Sequence, residues 1–401
     1  MQSSIFYLCL QSAQCVNIVF MATTQTHHDT NIDPLILDAL HAFLEKNIKP
    51  HITDFEQNGI HRETWLQMGH MGLLGIQAPA AYGGLALDYQ DLATVLATVS
   101  STYPSLGLSL IAHSHLCMHL IQAHGNKKQC LAWLPQLITG KSIGAIGISE
   151  PNAGSDALAM QTKAIFKDNQ YYIHGEKTWI TNGPDADVGV IYAKEIDGNI
   201  SPFIVNLNHP SVTKSDPFSK LGMRGSKTGS LYFDGVPVEQ HNKITSSYSG
   251  KAILMHGLNL ERVMLSAGPI GIQTACLQHA LSYAHERKQF KSRLIDFQLI
   301  QQKIANMYTR LESSRAMLNE AFRRIDTQNL DNAYAASVYL HCGQNAVQTS
   351  DDALQIFGGN GYTNDYLVEM FYRDAKLYDI GGGTNEIRQL VIAKSLMKGF
   401  S

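Results

Sequence analysis

The hydrophobic period changes twice along the chain, and this limits the available folds more than any other feature. From Asp33 to about Gly144 the apolar spacing is helical. Leu35, Ile36, Leu40, Phe43, Leu44 and Ile48 share one face of a helix predicted to end at Pro50. Leu92, Val95, Leu96 and Val99 form a second such stripe, and the stretch from Ala78 to Gly84 reads as a loop. From about Ala145 to Ile244 the pattern becomes that of short strands between Gly, Asn, Asp and Pro turns. Tyr171 to Ile173, Val188 to Tyr192, Phe203 to Val205 and Leu231 to Phe233 are the clearest. Helical spacing returns from about Lys251 and is broken at Gly358-Gly359-Asn360-Gly361 and at Gly381-Gly382-Gly383. Helices, a compact β segment and helices again predict an α+β protein. Its expected parts are an extension and flexible N-terminus over residues 1–32, a helical domain over 33–144, a middle β-barrel over 145–250 and a helical bundle over 251–401.

Composition excludes several function classes. A net charge of -3 gives no electrostatic reason to expect nucleic acid or an acidic membrane surface as a partner. The six cysteines, Cys9, Cys15, Cys117, Cys130, Cys276 and Cys342, include no C-x-x-C pair and suit a reducing compartment. No G-x-G-x-x-G follows a strand, so a Rossmann nucleotide site is not expected. No segment reaches the ~20 apolar residues of a membrane span. Met1 to Phe20 carries no Lys, Arg, Asp or Glu, unlike a secretory or mitochondrial leader. It reads as an extension without function, and the protein as cytoplasmic.

Several segments concentrate polar and small residues. Ser149-Glu150-Pro151-Asn152-Ala153-Gly154-Ser155-Asp156 is an ordinary surface turn or a loop small enough to approach a flat ring. Trp179-Ile180-Thr181-Asn182-Gly183 is a strand end running into a turn, with Trp179 a core residue or a shield. Glu286-Arg287-Lys288-Gln289-Phe290, followed by Phe297-Gln298, is a solvated cluster or a phosphate site, since the arginine fork suits phosphate oxygens. Thr384-Asn385-Glu386 opens a helix whose free N–H groups favour anions. His115 and His119 are four apart on one helix face, but no glutamate follows the first, so a satisfied histidine set is expected rather than a metal site. Glu261 lies among Leu258, Leu260, Val263, Met264 and Leu265. Alone, it is a helix-face carboxylate paired with a base, or a buried acid.

Taken together and in order, these segments resemble the acyl-CoA dehydrogenase family from about residue 33 to the C-terminus. Most members carry the catalytic carboxylate two residues before the Thr of the late motif. Gly382 stands there, and a glutamate appears instead at position 261, as in the isovaleryl-type branch. The resemblance implies FAD as cofactor. It puts Ile146, Gly147, Ile148, Ser149 and Ser155 against the flavin, with Trp179, Ile180 and Thr181 beside it. It assigns Arg287, Phe290 and Gln298, with Gln355, Ile356, Phe357, Gly358 and Gly359, to a FAD shared with a neighbouring subunit. Thr384, Asn385 and Glu386 would also grip FAD. Asn259, Leu260, Arg262, Gly382, Gly383 and Ser155 would line the substrate site, with Glu261 as base. Two departures stand out: Lys291 replaces the usual Gly after Phe290, and Asn259 replaces the usual Asp. Gly382 is expected to accept a glutamate, and Pro269 to kink the helix below Glu261.

The implied activity is α,β-dehydrogenation of a short branched acyl-CoA, isovaleryl-CoA first, by a homotetramer that passes electrons to an electron-transferring flavoprotein. A related dehydrogenase of another acyl-CoA, a flavin monooxygenase on the same fold, or a flavin-binding scaffold are the alternatives. Deleting Met1 to Phe20 should leave folding and activity unchanged. Loss of expressed, active protein on that deletion would contradict this.

Overall fold

A computed structural model of the protein describes residues 32–398. The first helix, α1 (Pro34–Phe43), opens with the Asp33 side chain accepting from the Leu35 N–H and with Pro34 in the first turn, where its missing N–H costs nothing. The helical path does not end at Pro50 as its sequence suggests. It widens to a π-helical turn over Leu44–Ile48, tightens to a 3₁₀ turn over Lys49–His51, and continues as α2 (Ile52–Asn58). The change of winding places Pro50 near the start of a new turn, so no α-helical bond is lost there. Gly59, at φ 83°, ends the run.

After α3 (Arg62–His70), the expected loop holds one short 3₁₀ turn, Ala80–Tyr82. Helix α4 (Tyr89–Thr102) is started by a reciprocal cap between Asp88 and Asp91. Helix α5 (Pro104–Ile111) passes through a π-helical stretch, Ala112–Met118, into α6 (His119–His124), and α7 (Lys127–Ile138) closes the first helical layer.

The middle of the chain is one curled seven-stranded sheet. Its strands are β1 (Gly144–Gly147), β2 (Lys163–Lys167), β3 (Gln170–Thr181), β4 (Val188–Lys194), β5 (Ile200–Asn206), β6 (Val212–Lys214) and β7 (Thr228–Glu239). The order is β1-β4-β2-β3-β7-β6, with β5 pairing to β4. The long β3–β7 ladder shifts register twice, and the second shift, between Lys177 and Ile180, frees Trp179 from the pleat.

The C-terminal part begins with α8 (Gly250–Leu265) and α9 (Ala267–Glu286). The two meet at Ser266, which keeps right-handed helical dihedrals, so the junction is a local interruption near Pro269. Pro269 lies in the first turn of α9, and the Ser266 hydroxyl bonds back to the Arg262 carbonyl at 2.8 Å. A two-residue hairpin joins β8 (Lys288–Gln289) to β9 (Ser292–Arg293). Then follow α10 (Gln298–Asp326), α11 (Asn332–Phe357), α12 (Val368–Ala375), α13 (Leu377–Ile380) and α14 (Asn385–Met397). Among the described residues no helix is long and apolar enough to cross a membrane. Cys117, Cys130, Cys276 and Cys342 are buried free thiols. Cys9, Cys15 and the segment Met1 to Phe20 lie outside the described residues.

The three parts meet at the loop from Lys220 to Thr228. The Gly225 carbonyl accepts from the Ile60 N–H at 3.1 Å, and the buried Asp374 accepts from the Met223 N–H at 2.5 Å. Arg373 ties Glu56, Glu369 and the Leu221 carbonyl together. A Cβ on Gly225 would lie 1.9 Å from the Tyr103 hydroxyl oxygen and 3.1 Å from the Phe55 carbonyl oxygen. Gly225→Ala should therefore destabilise the junction by ~1–3 kcal/mol, the usual cost of overpacking. Thermal unfolding checks this; an unchanged Tm would show that the loop moves aside freely.

Candidate active site

Helix α8 lays Glu261 against a cavity of about 440 Å³ between the first helical layer, the sheet and α8 itself. Ile146 and Ile148 form the sheet side of this cavity, with Tyr192 of β4; Leu258, Leu260 and Glu261 form the helix side. The carboxyl of Glu261 keeps some surface, as a cavity-lining group does, but protein encloses it. Burial pushes its pKa up to about 7, against the opposing pull of Arg262 and Arg388. The hydroxyls of Tyr192 and Tyr339 are raised by their own burial and by proximity to this carboxylate. A glutamate with these neighbours is part-ionised near neutrality, which suits a general base.

The glycine turn sits behind this carboxyl. Gly382 and Gly383 adopt φ of 64° and 87°, which only glycine takes without strain. A Cβ on Gly382 would meet Leu265 Cδ1 at 2.8 Å and Tyr339 Cε1 at 3.0 Å. The geometry weighs against the expectation that Gly382 tolerates a glutamate: the backbone is left-handed, and the side-chain ends of Leu265 and Tyr339 would have to shift. The Thr384 hydroxyl caps α14 by accepting from the Ile387 N–H at 3.3 Å, and Asn385 donates to Asp379 at 2.8 Å. Glu386 is exposed.

Arg262 is buried and donates to Asn259 Oδ1 at 2.9 Å, while Asn259 in turn donates to Asn332 at 2.5 Å. The Asn259 amide is therefore spent on protein contacts, which leaves it to orient Arg262. Sequence reasoning overlooked Arg388, which is fully buried next to the glycine turn. Its position four residues after Thr384 was the available signal, since it places the side chain back over that first turn.

The loop after β1 is held by a buried ion pair that sequence reasoning also missed. Lys177 Nζ donates to Glu150 Oε1 at 2.8 Å and to the Ile148 carbonyl at 3.0 Å. Glu150 further accepts from the N–H groups of Gln161 and Thr162. The pair fixes the run Ile146-Gly147-Ile148-Ser149 against β3, where the Ser149 carbonyl accepts from the Thr178 N–H at 2.9 Å. The inward phase of Lys177 on β3 was the missed signal.

Trp179 is no core residue. It sits at φ 61°, is 65% exposed, and has one ring edge on Phe218 at 5.0 Å. An unshielded indole on a strained bulge beside Thr181 is a platform for a flat ring. Ser155 is exposed, and a Cβ on Gly154 would meet nothing within 4 Å. The residues present therefore fit an isoalloxazine. Ile180 is the exception: its side chain is buried in the core, so only its backbone remains available.

Arg287, Phe290, Gln298, Gln355, Gly358 and Gly359 form a separate exposed patch, and none of them lines the Glu261 cavity. Tyr283 stacks on Phe357 at 4.0 Å, which brings the end of α9 beside the glycine turn after α11. Ile356 and Phe357 are buried, so they support this patch rather than offering side chains to a ligand. Phe290 and Lys291, at φ 51° and 65°, make the tight primed turn of the hairpin. Lysine thus holds a backbone shape that glycine usually takes. Phe290 is 90% exposed, which fits a cover from another molecule.

The paired histidines of the first helical layer are occupied by other contacts. His113 bridges the Leu137 carbonyl and the Gly144 N–H, and His115 stacks on His119 at 5.1 Å. Among the described residues no group of His, Cys, Asp or Glu is placed to hold a metal ion.

With this geometry in hand, comparison with known proteins is decisive. Residues 33–141, 145–236 and 249–397 match the N-terminal, middle and C-terminal domains of acyl-CoA dehydrogenases. The chain belongs to the acyl-CoA dehydrogenase family. Isovaleryl-CoA dehydrogenase from Pongo abelii is 41% identical over 367 residues, covering 89% of this chain and 87% of the relative. A 2-methylacyl-CoA dehydrogenase from Solanum tuberosum is 38% identical over 363 residues, covering 89% and 88%. The crystal structure of a glutaryl-CoA dehydrogenase from Mycobacterium smegmatis in complex with FADH2 superposes with a TM-score of 0.86 at 25% identity, covering 92% of this chain and 95% of that one. The family is FAD-dependent.

The raised pKa of Glu261 has a consequence for stability. Folding raises it from 4.5 to about 7, so between these values the folded chain holds a proton that the unfolded chain releases. Stability from this group is therefore full below pH ~4.5 and is lost as pH rises through ~7. Glu261→Gln removes the effect. It should be more stable than wild type at pH 8, by at most about 3.5 kcal/mol at ~1.4 kcal/mol per pH unit, and indistinguishable at pH 4.5. Thermal melts across this range check it; a pH-independent difference would contradict the raised pKa.

Proposed function

We propose that this acyl-CoA dehydrogenase acts on a short branched acyl-CoA, isovaleryl-CoA first, and forms 3-methylcrotonyl-CoA in leucine breakdown. The observation that carries the reading is the enclosed Glu261 on an apolar cavity wall, with glycine at position 382. FAD would rest on Trp179, Thr181 and the Ile146–Ser149 run, with Arg287, Gln298 and the Gly358–Gly359 turn serving a copy in a neighbouring subunit. Such sharing needs at least a dimer, and the assembly proposed is a homotetramer. FAD, when bound, accepts the β-hydrogen as hydride.

The chain's own residues do the rest. Glu261 takes the α-proton of the thioester. Its pKa near 7 leaves it ionised above neutrality yet basic enough for a weak carbon acid. The Gly382 N–H faces charge developing on the thioester oxygen and needs no side chain to do so. The mostly apolar lining lowers the local dielectric once substrate fills the cavity, which strengthens both effects. Ile146, Ile148 and Leu260 give the acyl group apolar walls. An electron-transferring flavoprotein is the proposed acceptor. Likeness to a 2-methylacyl-CoA dehydrogenase favours a second reading, in which the methyl branch sits on the α-carbon. The buried base weighs against a monooxygenase.

Single-turnover flavin reduction with a panel of acyl-CoAs tests this. Isovaleryl-CoA should exceed octanoyl-CoA by tens- to hundreds-fold, since pocket methylenes discriminate by ~1–3 kcal/mol. Better turnover of 2-methylbutyryl-CoA would move the branch preference; equal turnover of octanoyl-CoA would discard it. Glu261→Gln should slow reduction by at least ~10²-fold.

A further inference from the structure

Arg388 is the largest fully buried side chain in the described residues; none of its described hydrogen bonds reaches a carboxylate, its Nε has no partner, and Asp379 and Glu261 are the carboxylates whose charge acts on it. A buried cation without a counter-ion is costly unless its hydrogen bonds are met and its charge is used. Its fork is directed at one feature. Nη1 donates to the Tyr378 carbonyl at 2.7 Å and to Asn385 Oδ1 at 2.7 Å. Nη2 donates to the Gly381 carbonyl at 2.6 Å. The Gly381 carbonyl also accepts from the Tyr339 hydroxyl at 3.0 Å, and the guanidinium lies 3.7 Å above the Tyr339 ring. These contacts bracket Gly381-Gly382-Gly383 on both sides. Without them a left-handed glycine turn would have wide freedom.

We propose that Arg388 is a positioning residue for the reaction: it locks the Gly381–Gly383 turn so that the Gly382 N–H is aimed, and its unpaired charge biases Glu261 toward the ionised form. The inference rests on Glu261 being the base. Two linked jobs follow from one side chain. The planar fork fixes the turn, and the charge acts across the cavity wall. Glu261 is also faced by Arg262 from its own helix, Tyr339 from α11 and Tyr192 from β4; the cavity histidines His115, His119, His124 and His256 share the space. The histidines are held neutral by burial where a shift is resolved, His119 near 4, so the two arginines are the cations that count. Arg262 has its own anchor in Asn259 and does not touch the glycine turn through any hydrogen bond described.

Two variants separate the jobs. Arg388→Lys keeps the charge and loses the fork; Arg388→Met loses both. Each is made with Glu261 and with Glu261→Gln. The pH midpoint of the Tm difference within each pair reports the ionisation of Glu261 without any turnover. Flavin reduction by isovaleryl-CoA in the Glu261 versions reports alignment. Arg388→Met should move the midpoint to higher pH and slow reduction by ~10- to 100-fold, the scale of a small misplacement. Arg388→Lys should keep the wild-type midpoint yet reduce flavin slowly. A purely structural arginine would lower every Tm and leave the midpoint and the rate where they are, which overturns the proposal. If Arg388→Met does not fold, Arg388→Lys decides: slow reduction supports the proposal and wild-type reduction overturns it. Wild-type turnover by Glu261→Gln would instead remove the base assignment, and the midpoints would still show whether Arg388 acts on that carboxyl.

Discussion

Enclosing one carboxyl is the constraint on which the rest of the site depends. Glu261 is displaced toward its neutral form by burial, and it is useful only if that displacement stops near neutrality. Arg262 and Arg388 supply the limit. They are themselves buried, and the Asn259 anchor and the glycine turn hold them in place. Each feature is poorly explained alone: a buried arginine with no carboxylate in hydrogen-bond reach, an asparagine tied to a second arginine, three successive glycines. Around the proposed base they become parts of a single electrostatic arrangement.

The sheet contributes rigidity on the opposite side. The Glu150–Lys177 pair pins the loop after β1 from below, and the register shift in β3 turns Trp179 outward. The pair is expensive to bury and satisfies most of its hydrogen-bonding groups, as such pairs must. Its effect is to hold a flat apolar run, Ile146 to Ile148, at a fixed distance from α8. A cavity whose two walls are set by separate domains depends on the junction near Gly225, where all three parts are in contact.

Much of this was legible in the sequence because period and punctuation were clear. The two changes of hydrophobic period mark the three layers, and Glu261 stands out because position 382 has no side chain. The rest was hidden for physical reasons. Pro50 reads as a stop, yet a π turn and a 3₁₀ turn absorb it, and no propensity argument anticipates a change of winding. Ile180, Ile356 and Phe357 lie inside well-marked motifs, but a motif does not say which members face inward. Glycine at 382 looked permissive, whereas its left-handed backbone and the packing of Leu265 and Tyr339 put any larger residue under strain. Arg388 drew no attention in the sequence, because only the fold shows that it is buried.

The central claim is that Glu261 removes the α-proton. Exchange of the α-hydrogen of isovaleryl-CoA with heavy water measures that step alone, under anaerobic conditions with the cofactor already reduced so that no hydride can be accepted. The wild-type protein should introduce deuterium at the α-carbon, and Glu261→Gln should do so at least ~10²-fold more slowly. Equal exchange in the two proteins would contradict the account.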